Sequence, residues 1–378
     1  MAVPFIDLRR FEPDFLDRWA AKCQEITRNT AFVGGPEVQA LEKAMAEESG
    51  VAEVVSCANG TDAIQLALRA LEVGPGDLVL VPDATFWATF EAVVNVGARP
   101  VTVDISLDDL QMDFDLFTEA VERYRPKAAI LVHLYGWGSR RLNDFRQYCA
   151  ERNIALVEDG AQAYGVQWQG ESIYKLSTLA TVSFYPAKVL GSCGDAGAVY
   201  CSTPELARTV RQLANHGRTS HYAHGLVGWN SRMGGFDAGW LNLSRSYFAE
   251  RMESRRKAAA WYRRELAAIG VRVVAPPQGY DENGYLNVTL HDPAKRPLIE
   301  AVLKERGIGF GNVYPGAMSR QPGAEGHMAG SVGGENADLL SRSVLNLPLY
   351  AGITEAELEE VMAGMRHGLR NAGLLERD

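Results

Sequence analysis

Cysteine is scarce in this sequence of 378 residues, which contains five scattered cysteines: Cys23, Cys57, Cys149, Cys193 and Cys201. Their number is odd, and no two of them have the spacing of a zinc knuckle or a redox motif. We therefore expect reduced, mostly structural thiols and no bound metal. His221 and His224 lie three residues apart, but their polar, glycine-rich stretch offers no acidic or thiol partner, so we expect no metal there either.

Long apolar runs and clusters of positive charge are also absent. No run approaches the roughly 18 apolar residues that a membrane span needs, and the start of the chain lacks the pattern of a secretory signal. The formal net charge is −9, and one short basic run, residues 255–257, is interpreted as the solvated side of a helix. Binding the phosphate backbone of a nucleic acid requires clustered positive charge, so we expect no nucleic-acid partner. Without a span or a signal pattern, we also expect a cytoplasmic protein without a membrane partner.

The sequence does contain enough apolar material for a full globular core, since 47% of its residues are hydrophobic and 22% are charged. From about residue 50 to residue 200, short apolar runs alternate with helical patterns. The predicted strands are Leu78–Val81, Val101–Asp104, Ala128–His133, Ile154–Glu158 and Ala180–Phe184. The predicted helices are Thr61–Leu71, Phe86–Val96, Arg141–Arg152 and Pro204–Asn215. This alternation predicts an α/β architecture, with a mostly parallel sheet covered by helices on both faces.

The pattern changes after Ser231. A helix is predicted at Phe248–Ile269, a Pro-Pro-Gln-Gly segment follows it, and a strand at Tyr285–Leu290 precedes a helix at Pro297–Arg306. These elements predict a smaller α+β C-terminal domain. We place the large domain at residues 1–245, with residues 1–30 packing on the rest, and the small domain at residues 246–378. A chain of this length can form two domains that share one active site.

Two polar residues lie at the carboxyl edge of the predicted sheet, where open α/β folds bind ligands. Asp159 follows the strand that ends at Glu158, and Lys188 follows the next strand and precedes the glycine-rich segment 191–197. Asp159 alone could simply cap a turn. Together they are the pair that pyridoxal 5′-phosphate (PLP) requires, because the amine forms a Schiff base and the carboxylate keeps the pyridine nitrogen protonated.

Other candidates are less specific. Gly60 and Thr61 begin a helix whose backbone N–H groups and capping hydroxyl could bind the cofactor phosphate, although an ordinary helix N-cap has the same sequence. Phe86 could stack on the cofactor or belong to the core. His133 could be a metal ligand, a base or a buried core histidine. Because no second histidine lies at metal spacing, we assign it a supporting role beside the cofactor.

Five motifs occur along the chain at 60–62 (Gly-Thr-Asp), 158–162 (Glu-Asp-Gly-Ala-Gln), 183–188 (Ser-Phe-Tyr-Pro-Ala-Lys), 194–197 (Gly-Asp-Ala-Gly) and 228–232 (Gly-Trp-Asn-Ser-Arg). In order and spacing they resemble the DegT/DnrJ/EryC1/StrS sugar aminotransferases, and the resemblance runs from about Phe5 to Tyr350. It implies the PLP-dependent transferase fold type I, with a mostly parallel seven-stranded sheet in the large domain. It also implies a homodimer with shared active sites.

The resemblance implies a role for each matching residue. Lys188 would form the Schiff base with PLP, and Asp159 would pair with the pyridinium nitrogen. The residues implied to hold the phosphate are Gly60, Thr61 and Ser183, and those implied to lie against the ring are Phe86 and Gln162. Asn230 would reach the partner's phosphate across the dimer, so a monomer is expected to be inactive. The residues expected to border the substrate are Tyr314, Arg232 and His133.

The reaction that the resemblance implies is amino transfer from L-glutamate to a nucleotide-linked keto-sugar. Lys188 favours transamination, since dehydratase relatives carry histidine there and cannot form the Schiff base. Similarity in residues 56–68 and 177–185 favours a 3-keto over a 4-keto acceptor. Three positions depart from the family pattern: Gly160, Ala196 and Val313. The last of these stands where many members have histidine, and it leaves the identity of the substrate open.

Two functions from other classes are alternatives to an aminotransferase. A PLP-binding regulatory protein without turnover is compatible with the family, although no DNA-binding helix pair is visible in the sequence. Measured amino transfer from glutamate would separate it from an enzyme. A plain dinucleotide-binding protein does not fit, because no strand leads into the three-glycine phosphate fingerprint. The sequence therefore predicts a PLP-dependent aminotransferase.

Overall fold

The computed structural model describes residues 2–376. Within them the chain forms twelve α-helices: α1 Phe15–Arg28, α2 Pro36–Ser49, α3 Gly60–Ala70, α4 Trp87–Asn95, α5 Phe114–Tyr124, α6 Leu142–Glu151, α7 Pro204–Ala214, α8 Gly235–Arg245, α9 Phe248–Ala268, α10 Arg296–Glu305, α11 Glu335–Ser343 and α12 Glu355–Asn371. It also forms fourteen strands: β1 Glu53–Cys57, β2 Leu78–Pro82, β3 Arg99–Val103, β4 Ala128–Val132, β5 Ala155–Asp159, β6 Gln167–Trp168, β7 Glu171–Ser172, β8 Leu179–Ser183, β9 Gly197–Cys201, β10 Arg272–Val273, β11 Tyr280–Asp281, β12 Asn287–Leu290, β13 Gly330–Val332 and β14 Val344–Leu347. None of the helices in this range is long and apolar enough to cross a membrane.

Eight strands form one large sheet in the order β1-β9-β8-β5-β4-β2-β3-β13. Neighbouring strands are parallel except at β9, which is antiparallel to both β1 and β8. Seven of these strands lie between residues 53 and 201. The eighth, β13, comes from the C-terminal part of the chain and pairs with β3. The sheet is one strand wider than expected, because the three residues Gly-Ser-Val of β13 have no apolar pattern that would predict a strand.

The predicted elements of this layer are confirmed to within two residues at each end. The strand predicted at Ile154–Glu158 is β5, and the helix predicted at Phe86–Val96 is α4. Every residue of β4 is buried, because helices cover both faces of the sheet. Parallel strands end at the same edge, so the residues that follow β2, β4, β5 and β8 meet there. This edge holds the candidate site.

Two hydrophobic clusters stabilise the chain. The first surrounds the large sheet and includes the buried face of α3 with Ile64, Leu66 and Leu68. The second lies in the C-terminal part, where α9, α10, α12 and β14 pack together with Val3. Val3 exchanges backbone hydrogen bonds with residues 307 and 309, which hold the start of the chain against this second cluster. The domain boundary between residues 245 and 246 stays a prediction.

The N-terminal helix α1 packs on α8 through aromatic side chains. Phe15 and Trp19 contact the Trp240 ring edge to face, with ring centroids 4.9 and 5.1 Å from it. Aromatic pairs at these distances contribute about 1 kcal/mol beyond the area they bury. The Trp240 indole N–H donates to the backbone oxygen of Gly191 (3.0 Å). The aromatic cluster thus connects α1 to the glycine-rich segment that follows Lys188.

The prediction of a solvated basic run at residues 255–257 is wrong for Arg255. This side chain lies on the buried face of α9 and is 7% exposed. Its guanidinium donates to the backbone oxygens of Gly284 (3.3 Å) and Leu349 (3.1 Å), and burial lowers its pKa to about 10. Successive helix residues are about 100° apart, so three in a row cannot all face solvent. Lys257 does face solvent and pairs with Glu253.

His291, directly after β12, makes a pH-dependent contribution to stability. Its side chain is 8% exposed, and burial together with the charge of Arg296 lowers its pKa to about 4. A histidine whose folded-state pKa lies below its unfolded value stabilises the fold only while it is neutral. This stability is present above pH 6.5, the ordinary pKa of the group, and is lost as the pH falls toward 4.

We expect the free energy of unfolding to fall by up to about 3 kcal/mol across this interval. Chemical denaturation at a series of pH values measures it. His291→Gln should flatten the pH dependence, whereas His367→Gln, at an exposed position of α12, should leave it unchanged. Equal pH dependence in the wild type and both variants would contradict the role of His291.

Candidate active site

A cavity of about 760 Å³ opens at the carboxyl edge of the parallel strands. Its walls come from the segments that follow β2, β4, β5 and β8, from the start of α3, and from two tyrosines of the C-terminal part. Eight residues predicted from the sequence line it: Gly60, Thr61, Phe86, Asp159, Gln162, Ser183, Lys188 and Tyr314. The fold therefore gathers residues from positions 60 to 314 in one place.

Asp159 ends β5 at the cavity wall and is 4% exposed. Its Oδ1 accepts the Ala161 N–H (3.0 Å), and its Oδ2 accepts the Thr89 hydroxyl (3.0 Å). Burial raises the pKa of Asp159, while these hydrogen bonds and the charge of Lys188 oppose the shift. A desolvated carboxylate of this kind gains most from a cationic N–H partner inside the cavity, such as a protonated pyridine nitrogen.

The preceding residue, Glu158, is also buried but does not line the cavity. Consecutive strand residues point to opposite faces of a sheet. Arg146 donates to both carboxylate oxygens of Glu158 (2.8 Å each), and His133 Nε2 lies 2.9 Å from Oε2. Burial opposes ionisation, but Arg146 and His133 outweigh it and lower the pKa of Glu158. Two adjacent carboxylates therefore have opposite electrostatic environments.

The structure does not support the prediction that His133 borders the substrate. Its side chain is fully buried and hydrogen-bonded to Glu158, behind the cavity wall. Its backbone N–H donates to the backbone oxygen of Asp159 (2.8 Å), which fixes the end of β5. Because the ring is already engaged with Glu158, His133 can act on the cavity only through its neighbours. This placement fits the supporting role inferred from the sequence.

Helix α3 begins at the cavity wall. Asn59 caps it by accepting the Asp62 N–H (2.8 Å), so the capping group is a carboxamide and not the predicted hydroxyl. Within residues 2–376, the N–H groups of Gly60 and Thr61 donate to no acceptor. A Cβ at position 60 would lie 2.6 Å from Ser183 Cβ, so this close approach requires glycine. The two free N–H groups and the Ser183 hydroxyl form a cradle suited to a phosphate.

Lys188 lies in a turn after β8, where its backbone N–H donates to the backbone oxygen of Tyr185 (2.8 Å). Its Nζ lies 5.3 Å from the centre of the Tyr285 ring. No ion pair or hydrogen bond engages this Nζ in the described part of the chain. An amine that is free of carboxylate partners can form a Schiff base with an aldehyde, which is the first requirement for a PLP lysine.

Gln162 and Tyr314 form a fixed hydrogen-bonded wall. The Gln162 Oε1 accepts the Tyr135 N–H (2.6 Å), and its amide nitrogen donates to the Tyr314 hydroxyl oxygen (2.7 Å). The Tyr314 ring lies against Phe86, with ring centroids 5.5 Å apart. Burial raises the pKa of Tyr314 well above its usual value, so the phenol stays protonated. Its own proton can therefore donate to a ligand in the cavity.

These side chains fit PLP in three independent ways. The cavity offers an unpaired amine at Lys188, a desolvated carboxylate at Asp159, and a glycine-dependent cradle beside Ser183 that suits the phosphate. Phe86, half of whose side chain is exposed to the cavity and solvent, offers an aromatic face for the ring. No cluster of three or more histidine, cysteine or acidic residues within residues 2–376 is arranged to hold a metal ion.

Asn230 and Arg232 do not line this cavity. Both are exposed, and the Arg232 guanidinium donates to the side-chain oxygens of Asn230 (2.5 Å) and Asn215 (3.2 Å). The preceding segment also exposes two large apolar side chains, Tyr222 (87%) and Val227 (83%). The exposure of Asn230 fits the expectation that it serves a partner.

The family model of the DegT/DnrJ/EryC1/StrS aminotransferases matches residues 15–366. The chain belongs to this family. The resemblance stated from the sequence motifs is therefore confirmed, and with it the PLP-dependent transferase fold and the class of enzyme. The match covers the whole large sheet and nearly all of the C-terminal part, so every residue of the cavity lies within it.

Curated relatives of the family align over almost the whole chain. The UDP-N-acetyl-3-dehydro-α-D-glucosamine 3-aminotransferase of Acidithiobacillus ferrooxidans is 35% identical, over 97% of this chain and 98% of the relative. The UDP-2-acetamido-2-deoxy-3-oxo-D-glucuronate aminotransferase of Pseudomonas aeruginosa is 34% identical, over 96% and 99%. A pleiotropic regulatory protein of Geobacillus stearothermophilus is also 34% identical, over 96% and 97%.

Two crystal structures of similar proteins support the same assignment. A DegT/DnrJ/EryC1/StrS aminotransferase from Brucella abortus superposes with a TM-score of 0.91 at 29% identity, covering 97% of this chain and 99% of that chain. NtdA from Bacillus subtilis was crystallised with the cofactor pyridoxamine phosphate (PMP). It superposes with a TM-score of 0.89 at 28% identity, covering 98% of this chain and 85% of that chain. The protein therefore has the same fold as NtdA, which binds PMP.

Among the residues of the site that the sequence analysis missed are Thr89, Asp195 and Tyr285. Thr89 reaches Asp159 from the first turn of α4, and a threonine at that place carries no signal of its own in the sequence. Asp195 lines the cavity from within the Gly-Asp-Ala-Gly motif, whose aspartate has no role assigned from the sequence. Tyr285 lies about a hundred residues beyond Lys188, and no local pattern indicates that the two meet.

The adjacent carboxylates should respond in opposite ways to amide substitution in the PLP-free protein. Asp159→Asn should raise the free energy of unfolding by about 1 kcal/mol, because a buried charge disappears while the amide oxygen still accepts the Ala161 N–H and the amide nitrogen donates to the Thr89 hydroxyl oxygen. This gain should appear only above about pH 4, where the unfolded carboxyl ionises. Glu158→Gln should lower the free energy of unfolding by about 3 kcal/mol, because it leaves the buried Arg146 charge without its counter-ion.

Denaturation of both variants at neutral pH measures the two effects, and each variant is the matched control of the other. Both remove one negative charge from the same strand end, so a general charge effect would shift them in the same direction. Destabilisation of similar size in both would contradict the opposite environments assigned to Asp159 and Glu158.

Proposed function

We propose that this protein uses PLP to transfer the amino group of L-glutamate to a nucleotide-linked 3-keto-sugar. The product would be an amino sugar for glycan or natural-product biosynthesis. The observation that carries the proposal is the convergence of Lys188 and Asp159 on one cavity beside the start of α3. The family's aminotransferase character and the names of the relatives support the reaction and the class of acceptor.

The cofactor is assigned to specific residues of this cavity. Lys188 would hold PLP as a Schiff base through Nζ, and Asp159 would pair with its pyridine nitrogen. Phosphate contacts are assigned to Gly60, Thr61 and Ser183, and ring contacts to Phe86 and Gln162. The free N–H groups at the start of α3 support the phosphate assignment, because the positive end of a helix stabilises an anion.

The chemistry divides between the cofactor and two side chains. When bound, PLP supplies an electron sink for the carbon that loses a proton. Asp159 holds a proton at the pyridine nitrogen, and burial strengthens its attraction to that cation. The Nζ of Lys188, once it is no longer attached to the cofactor, would take a proton from the α-carbon of glutamate and return it to the cofactor carbon on the other side of the amino nitrogen. With the keto-sugar, Lys188 performs the same transfer in reverse, so we expect ping-pong kinetics.

Tyr314 is assigned to the substrate side of the cavity. Its oxygen accepts the Gln162 amide, so its phenolic proton is free to donate to a substrate hydroxyl or carbonyl oxygen. Because burial keeps the phenol protonated, as its raised pKa indicates, this donor persists across the ordinary working pH range. Hydrogen-bond donors of fixed orientation are what discriminate one sugar hydroxyl pattern from another.

The preference for a 3-keto acceptor is supported by the names of two relatives, which specify a 3-dehydro and a 3-oxo sugar. A 4-keto-sugar aminotransferase is the alternative within the same class. The two acceptors differ in which carbon must reach the cofactor, while the nucleotide end can bind in the same place. A direct comparison of 3-keto and 4-keto acceptors decides between them.

A PLP-binding regulatory protein without turnover is the second candidate, and the name of the Geobacillus stearothermophilus relative favours it. The cavity argues for an enzyme instead. A protein that only binds PLP has no need of a desolvated Asp159, whose burial costs stability and serves to protonate the cofactor ring. Turnover separates the two candidates directly.

We further propose a homodimer with shared active sites. Among the described residues, the cavity of one chain carries a single cation, Lys188, and four carboxylates: Asp62, Glu91, Asp159 and Asp195. The donor is a dicarboxylate, and the cofactor and acceptor both carry phosphate. Anions of this number require additional cations or N–H donors from outside the chain. Asn230 and Arg232 are exposed and do not line their own cavity, which suits a contribution to a partner.

The working environment proposed for this enzyme is the cytoplasm, with small molecules as its substrates. All five cysteines are free thiols, which fits a reducing compartment. The net charge of −9 disfavours long-range attraction to nucleic acid. The location stays a prediction.

The first test is turnover. Protein loaded with PLP should convert L-glutamate to 2-oxoglutarate and, in the presence of a UDP-linked or dTDP-linked 3-keto-sugar, form the corresponding amino sugar. Mass spectrometry of the sugar measures the product. Lys188→Ala should abolish turnover and the visible absorbance of the Schiff base between PLP and Lys188, and Asp159→Asn should keep the fold but lose at least about a hundredfold in rate.

Each alternative gives a distinct result in this assay. Product from 4-keto acceptors alone would contradict the 3-keto preference while leaving the aminotransferase intact. Bound PLP without amino transfer from any donor to any acceptor would favour the regulatory protein. Normal turnover of Asp159→Asn would contradict the assignment of Asp159.

The shared site predicts complementation between two inactive variants. Asn230→Asp places a negative charge beside the partner's phosphate, and Lys188→Ala removes the amine from its own cavity. In a heterodimer of the two, one site carries both defects and the other carries none. A random mixture should therefore recover about a quarter of the wild-type activity. Size-exclusion chromatography of the mixture establishes that dimers form.

The control places both substitutions on one chain and mixes it with Lys188→Ala, a combination in which no site is intact. This mixture should stay inactive. No recovery in the first mixture, despite subunit exchange, would contradict the contribution of Asn230 across the dimer.

A further inference from the structure

Within residues 2–376, the amine of Lys188 makes no hydrogen bond or ion pair, and it faces the ring of Tyr285. Nζ lies 5.3 Å from the ring centre, within the distance at which an ammonium group is attracted to the face of an aromatic ring. Four carboxylates line the same cavity, yet none of them approaches Nζ within the 4 Å of an ion pair. The charge of Lys188 is therefore faced by an aromatic ring and by no anion.

Tyr285 is held in this position by a rigid turn. The fully buried side chain of Asn283 accepts the Tyr285 N–H (3.0 Å) and donates to the backbone oxygens of Gln162 (2.8 Å) and Tyr164 (3.0 Å). The turn is thereby attached to the segment that carries Gln162 at the cavity wall. Its position relative to Lys188 is fixed by buried hydrogen bonds, which rarely break without a large loss of stability.

Arg255 supports the same turn from the other side. Its buried guanidinium donates to the backbone oxygen of Gly284, the residue before Tyr285, and to that of Leu349. A Cβ at position 284 would lie 2.8 Å from Arg255 Cβ, so the turn packs closely on α9. A buried cation without a carboxylate partner is costly. Its cost is offset here by two carbonyl groups, one of which belongs to the turn that presents Tyr285.

We propose that Tyr285 is a positioning residue for Lys188, and that the face of its ring holds the Lys188 amine whenever this amine is not covalently attached to the cofactor. The inference rests on the proposed function, in which Lys188 carries a proton between two carbon atoms. The ring attracts the ammonium form but has no lone pair on its face that would take the proton. An aspartate in its place would bind the same ammonium in an ion pair and hinder the return of the proton.

The ring therefore solves a positioning problem that arises only during the reaction. A released lysine side chain has four rotatable bonds and would otherwise sample the cavity or approach one of its carboxylates. Contact with the ring keeps Nζ near the carbon atoms between which it moves the proton. The expected consequence is a larger rate constant for proton transfer with little change in substrate binding.

Tyr285→Leu and Tyr285→Phe test this inference as a matched pair. In Tyr285→Leu the half-reaction with L-glutamate should slow roughly 3–30-fold, the range expected for loss of a cation–π contact, with KM unchanged. The kinetic isotope effect with α-deuterated L-glutamate should increase, because proton transfer becomes more strongly rate-limiting. Tyr285→Phe keeps the ring and should recover most of the rate.

Two measurements on PLP-free protein separate positioning from structural damage. The Kd for pyridoxamine phosphate, which binds without Lys188, should be the same in wild type and Tyr285→Leu. The rate at which Lys188 captures PLP, followed by visible absorbance, should fall in Tyr285→Leu and recover in Tyr285→Phe. The capture rate tests the inference even for a protein that fails to react with glutamate, an outcome that would count against the proposed function alone.

Three results would overturn the inference. Equal losses in Tyr285→Phe and Tyr285→Leu would assign the effect to the hydroxyl and not to the ring face. An unchanged capture rate in Tyr285→Leu would leave Lys188 independent of Tyr285. A higher Kd for pyridoxamine phosphate together with a lower Tm in Tyr285→Leu would indicate that the ring only maintains the shape of the cavity.

Discussion

Burial of the Asp159 carboxylate is the constraint on which the rest of the site depends. A charge removed from water must be satisfied by hydrogen bonds or by a cation, and the fold supplies the hydrogen bonds through Thr89 and Ala161. In the proposed function the cofactor would supply the cation, so the same burial would both cost stability and favour a protonated ring nitrogen. The neighbouring Glu158 shows the opposite solution, since Arg146 and His133 compensate it within the protein.

The sheet alone cannot complete this site. Its strand ends place Asp159, Ser183 and Lys188 at one edge, but two walls of the cavity, Tyr285 and Tyr314, come from beyond α9. Hydrogen bonds connect the C-terminal part to the strand ends. The Asn283 side chain donates to the backbone oxygen of Gln162, and the Tyr135 hydroxyl donates to the backbone oxygen of Val313. The geometry around Lys188 therefore depends on how the C-terminal part is held against the strand ends.

The limits of prediction from sequence follow from this arrangement. Strands such as β4 and β5, and the pair of Asp159 and Lys188, were predictable because apolar runs and the polar residues that follow them are local signals. The partners of Arg255 were not, since a basic run looks the same whether one member is buried or none is. Gly160, a departure from the family pattern, becomes intelligible only in three dimensions: a Cβ there would lie 2.4 Å from the Tyr174 ring.

The charges that line the cavity bear on whether one chain can bind the reactants alone. A site with four carboxylates and one lysine favours a cationic ring nitrogen and an ammonium group, but it repels phosphates and dicarboxylates. The start of α3 offsets part of this repulsion, and its two free N–H groups suffice for one phosphate at most. Donor and acceptor anions would still lack partners, while Arg232 lies exposed outside its own cavity. The proposed homodimer would bring the missing groups, and assembly would then be a condition for activity.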